Sequence, residues 1–167
     1  MENTKTINMK KNILIIGGSS GVGLALVKLL CEENNVIVAS RTNEIISDLP
    51  VSYLPFDVDK DDLDINKIPD QLNGFVYCPG SINLRPFKGL KQEVFIQDFS
   101  INVLGAIKTL QAVQNNLQNS ETPSSVVLFS TVAVRTGMPF HSSVATAKGA
   151  LEGLARSLAA ELAPKVR

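Results

Sequence analysis

The chain has 167 residues, 16 basic against 16 acidic side chains, 44% hydrophobic residues, one histidine, two cysteines and no tryptophan. That length suits one domain, large enough to build a core without metal or disulfide staples. The balanced charge leaves no footprint for nucleic acid, His141 with Cys31 and Cys78 cannot assemble a zinc site, and so few cysteines point to a cytoplasmic protein, not a secreted scaffold.

Residues 1–11 read as a polar tail, with Met9 a second candidate start. The apolar run Ile13–Ile16 is too short for an export signal, and no stretch approaches the roughly 20 apolar residues of a membrane span, so no membrane partner is expected. Residues 12–16 predict a buried strand closed by glycine. Residues 21–33 predict a helix with Val22, Ala25, Leu26, Leu29 and Leu30 on one apolar face. Strands follow at 35–40 and 51–58, with short helices expected near 43–48 and 62–72. A fourth strand, 73–78, stops at Pro79-Gly80. A polar loop leads to a long helix over 91–117, then a fifth strand over 124–130 and a last helix over 142–163. This alternation of strand and helix predicts an α/β fold with a doubly wound parallel sheet in one domain, residues 12–167.

The first strand runs into Gly17-Gly18-Ser19-Ser20-Gly21-Val22-Gly23, and a helix starts inside this loop. Strand, glycine turn and helix together form a phosphate cradle. Gly17 permits the turn, Gly21 lets backbone approach a pyrophosphate, and Gly23 lets helix pack on strand, with the helix amides facing the anion. No Lys-Ser or Lys-Thr pair follows, which excludes the NTP-binding variety of glycine loop. The second strand ends in Ser40-Arg41. No carboxylate stands there to bind a ribose 2′-hydroxyl, and an arginine suits the 2′-phosphate of NADP. NADP(H) is therefore the expected cofactor in preference to NAD(H).

The spacing G-x-x-x-G-x-G resembles that of the short-chain dehydrogenase/reductase family, a Rossmann fold, with Ile16 where the family has threonine. The resemblance extends over residues 12–167. It implies that Asp57-Val58 hold the adenine and that Gly80 closes the cofactor site. Tyr77-Cys78-Pro79-Gly80 stands where the family writes N-N-A-G, and only Gly80 matches. The family's Asn, Ser, Tyr and Lys then map onto Asn102, Thr131, Val144 and Lys148. Three of these can act as in the family: Asn102 in a proton relay, Thr131 on the substrate carbonyl, and Lys148 on the cofactor and in catalysis. Lys148 also shares its helix face with apolar neighbours at 144, 151, 155 and 158, which argues for a cleft position. Val144 has no proton to give. His141, three residues earlier and nearly on the same helix face, is the nearest candidate donor; its other reading is a capping or solvent-facing side chain.

The family's sixth and seventh strands have no counterpart before Arg167, so the fold is expected to be cut after the fifth strand and its helix. The resemblance also implies a homodimer or homotetramer through the two long helices (Ala106, Leu110, Val113; Leu151, Ala155, Leu158), the alternative being that these faces serve only the sheet. Two functions emerge: an NADP(H)-dependent oxidoreductase for a small carbonyl or alcohol with an atypical active site, or a cofactor-binding pseudoenzyme.

Overall fold

A computed structural model describes residues 10–167; residues 1–9, with most of the expected tail and Met9, lie outside the described residues. Five strands, β1 (Asn12–Ile16), β2 (Asn35–Ser40), β3 (Val51–Pro55), β4 (Gly74–Tyr77) and β5 (Ser125–Leu128), form one sheet in the order β3-β2-β1-β4-β5. Every pairing is parallel. A parallel sheet needs cover on both faces, and the side-chain alternation of β1 supplies two apolar surfaces. Leu14 and Ile16 point into one core with Phe75 and Tyr77, and Ile15 into the other with Val27, Val36 and Val38.

The first core is covered by α3 (Gly105–Gln118) and α5 (Ser142–Leu162), the second by α1 (Gly21–Leu30). Before α3 the chain forms α2 (Gln92–Phe99) and a wider π-helical turn, Ser100–Leu104, so the long helix read from the sequence is a three-part rod. A short α4 (Ala133–Thr136) precedes α5.

The buried stripe of α1 differs from the expected one. Gly23 and Val27 are buried, whereas Val22 and Leu29 are exposed. The reason is the close approach at Gly23, where a Cβ would collide with the Gly17 carbonyl oxygen. That contact fixes the rotation of the helix and turns the next residues along the Gly23 face inward.

The two short helices expected between strands do not form. Residues 44–48 are a run of turns, in which Ser47 Oγ donates to the Glu44 carbonyl at 3.1 Å, a local bond that competes with helix. In 62–72 only a single 3-10 turn, Ile65–Lys67, appears. Asp64 accepts from the Asn66 amide there, and Pro69 blocks continuation.

β5 is the last full strand, yet its outer edge is not bare at its start. Ser124 N donates to the Lys165 carbonyl at 2.9 Å, and Val126 N to the Arg167 carbonyl at 2.8 Å, laying residues 165–167 parallel to it. Beyond this an apolar groove of about 300 Å³, lined by Val127, Leu128, Ala155, Leu158 and Leu162 among others, stays open. Of the six side chains read as a pairing surface, Ala106, Val113 and Leu151 are buried in the chain's own core, whereas Leu110, Ala155 and Leu158 line this groove. Among the described residues no helix is long and apolar enough to cross a membrane.

Candidate active site

The carboxyl ends of β1, β2 and β4 open into a cleft of about 560 Å³, at the point where the sheet runs to β2 on one side of β1 and to β4 on the other. Gly17, Ser19, Ser20, Gly21, Val22 and Gly23 line it, with Ser40, Arg41, Asp57, Val58 and Gly80. Gly17 leaves β1 with φ +78°, a conformation L side chains rarely adopt, and a Cβ there would lie 3.0 Å from Pro79. Ser20, the N-cap of α1, is extended and places no side chain on the first-turn amides. Those amides lie at the positive end of the helix dipole, where an anion is favoured.

The rest of the cleft sets polar Ser40, Arg41 and Asp57 beside apolar Phe56, Val58 and Ile101. Ser40 is buried, its hydroxyl donating to the Thr42 carbonyl at 2.8 Å, and its carbonyl accepts the Tyr53 hydroxyl. Exposed Arg41 forms no ion pair among the described residues. Asp57 holds its own turn, accepting from the Asp59 amide and lying 3.7 Å from Lys60 Nζ.

At the inner end three segments converge on Gly80. A Cβ built there would sit 3.1 Å from Asn102 Oδ1 and 3.7 Å from Lys148 Nζ. Asn102 is fully buried in the π-helical turn. Its Nδ2 donates to the Asp98 carbonyl at 2.8 Å and to Ser81 at 3.2 Å, which fixes the amide and leaves Oδ1 buried without a partner. Lys148, only 9% exposed, makes no hydrogen bond or ion pair among the described residues. Burial lowers its pKa, the neighbouring Cys78 opposing; the Cys78 thiol is itself pushed up to about 11 by burial, Lys148 opposing. Thr131 is half-buried, and its hydroxyl accepts from the Ala133 amide at 3.3 Å at the start of α4.

Residues 11–167 match the family pattern described as short chain dehydrogenase. The chain belongs to the short-chain dehydrogenase family. It is 28% identical to L-xylulose reductase of Bos taurus and 26% to L-2,3-butanediol dehydrogenase of Corynebacterium glutamicum, each over 94% of this chain and 68% of the relative. A solved short chain dehydrogenase/reductase family protein superposes with a TM-score of 0.84 at 26% identity, over 94% of this chain and 71% of that one. Thermoplasma acidophilum aldohexose dehydrogenase shares the fold with the same TM-score at 21% identity, over 96% of this chain and 64% of its own. The chain thus spans about two thirds of the proteins it matches. The family comprises oxidoreductases that use NAD(P) on small alcohols and carbonyls.

Within this short-chain dehydrogenase Val144 is 4% exposed, one helical turn before Lys148 on the same face of α5. His141 is the N-cap of α5, and its Nδ1 lies 2.7 Å from the Pro139 carbonyl, so that nitrogen carries the proton of the bond. No hydrogen bond joins it to Asn102 or Lys148 among the described residues. One group of residues was missed from sequence. Fully buried Asp98 accepts from Ser81 Oγ at 2.5 Å, Asn83 Nδ2 at 2.9 Å and Ser143 Oγ at 2.6 Å, tying α2, the 81–83 loop and the start of α5 together. The available signal was a carboxylate four residues before Asn102, hence on the same helix face.

Proposed function

We propose that the protein is an NADP(H)-dependent oxidoreductase that interconverts a small carbonyl compound and its alcohol. The observation that carries this reading is the cleft itself: a glycine cradle at the start of α1, an unpaired Arg41 at the end of β2, and Gly80 at the opposite end with a buried lysine behind it. The residues fit a dinucleotide phosphate. The α1 amides and Gly17–Gly23 would hold the pyrophosphate, Arg41 the 2′-phosphate, Asp57-Val58 the adenine, and Gly80 with Lys148 the nicotinamide end. When bound, the cofactor supplies or removes a hydride. Thr131 would orient the substrate oxygen, and Asn102 and Lys148 would manage its proton.

The names of the relatives, a xylulose reductase and a butanediol dehydrogenase, support a small hydroxycarbonyl compound or diol as substrate class. Titration of NADPH and NADH emission, free of any tryptophan signal, tests the cofactor assignment. NADPH is expected to bind at least about tenfold more tightly, because a charge-assisted phosphate contact contributes about 1.5–3 kcal/mol, and Arg41→Ala should erase the preference. Tighter binding of NADH overturns the Arg41 assignment. Buried Val144 favours a second reading, cofactor binding without turnover. It predicts that wild type reduces nothing in a broad carbonyl panel while NADPH is bound, and that Val144→Tyr gains activity.

A further inference from the structure

Two buried polar groups near Gly80 have no partner. Asn102 Oδ1 can only accept, and the Lys148 ammonium can only donate, and both lie within 4 Å of the Cβ position that Gly80 lacks. Burial without a partner costs each group free energy, so their convergence marks a place built for something that donates to one and accepts from the other. Water and an alcohol hydroxyl fit that description; a carbonyl oxygen accepts from Lys148 and gains the O–H that Asn102 Oδ1 can accept only once it is reduced. The position on α5 one turn before Lys148 offers only the hydrocarbon of Val144.

We propose that Lys148 is itself the proton donor for carbonyl reduction, passing its proton straight to the substrate oxygen; this rests on the oxidoreductase reading above. As the carbonyl carbon gains a C–H bond with hydride from the reduced nicotinamide, the C=O π pair moves to oxygen. The oxygen takes a proton as one Lys148 N–H bond breaks, leaving a neutral amine, an alcohol and oxidised cofactor. A water donating to Asn102 Oδ1 then returns a proton from solvent to the amine. Burial, which disfavours the ammonium, makes Lys148 a stronger acid than a surface lysine. The ionisable group whose charge acts on it is Cys78, next after β4, while Asp98 on α2, Arg135 on α4 and Glu152 on α5 belong to elements packed with its helix or to that helix. Asp98 is saturated by three donors, and Glu152 is held by Ser130 Oγ and Arg156. None of the four forms an ion pair with Lys148 among the described residues.

The test has two arms. In the protein without cofactor, lysine acylation is followed against pH by mass spectrometry, with exposed Lys88 as internal reference. Lys148 should label half-maximally at a lower pH than Lys88, and NADP⁺ should protect it. Co-titration of the two lysines overturns the proposal. In the second arm NADPH oxidation by butane-2,3-dione is measured for wild type, Lys148→Met and Lys148→Arg. The wild-type rate should fall as pH rises through the labelling midpoint, since the donor must be protonated. Both variants should lose kcat by about 10²–10⁴-fold, arginine included, because a guanidinium does not give up its proton. Retained kcat in Lys148→Arg shows a merely electrostatic role and overturns proton donation. A loss in His141→Ala as large as that in Lys148→Met moves the donor to His141. Wild type that binds NADPH yet reduces no carbonyl overturns the oxidoreductase reading and this one together, whereas the other adverse outcomes overturn this one alone.

Discussion

At Gly23 a single hydrogen atom decides both a helix orientation and a binding site. A methyl group there collides with the Gly17 carbonyl, which belongs to the same turn that presents the phosphate cradle. Gly23→Ala should cost about 1–3 kcal/mol in chemical denaturation and lower NADPH affinity by at least about tenfold. Lys148 carries a stability consequence of opposite sign. Its pKa is lower in the folded protein than in the unfolded chain, so the unfolded state binds the proton more tightly. The resulting penalty is present in full below the folded-state pKa and fades as pH rises through it towards the ordinary lysine value near 10.4. Lys148→Met should therefore melt above wild type at pH 7, the gap narrowing towards pH 10.5 in calorimetric scans. Asp98 completes the residue scale. Asp98→Ala leaves Ser81, Asn83 and Ser143 without their acceptor, and a loss of about 3–5 kcal/mol is expected, measured by urea unfolding.

The elements differ in how far the sequence foretold them. Strands β1, β2, β4 and β5 and helix α5 were legible within one or two residues, because short β-branched runs and sustained helical spacing are strong signals. The helices expected at 43–48 and 62–72 failed because the Ser47 and Asp64 side chains there satisfy the backbone locally. The π-helical turn was invisible, since nothing in the pattern Ser100–Leu104 announces one extra residue in a turn. Its support comes from far along the chain: the buried Tyr77 hydroxyl donates to the Ile101 carbonyl at 2.6 Å, and Gly105 must lack a Cβ to admit that hydroxyl. Tyr77→Phe should remove about 1–3 kcal/mol, and it should perturb Asn102 next to the same turn, seen as a shift in NADPH affinity. The residues that line the cleft were readable because a glycine loop is a local motif. The Asp98 cluster was not, because its four side chains come from three separate segments.

For the molecule as a whole, the sheet has a core on each face. Phe75, fully buried at its centre, should cost about 3–5 kcal/mol on replacement by alanine. The open groove beside β5 is an apolar surface the fold leaves uncovered among the described residues, and Leu110, Ala155 and Leu158 of the expected pairing surface line it. The placement of the cleft has another result. The residues that would grip the phosphates and the adenine all fall between Gly17 and Lys60, at the ends of the first three strands, whereas Gly80, Asn102, Thr131, Val144 and Lys148 come from the following stretch of chain. Under the proposed function, gripping the phosphates and the adenine is written in one stretch of the chain and handling the substrate in the next. A change within the second stretch, as at Val144, leaves every residue of the first in place.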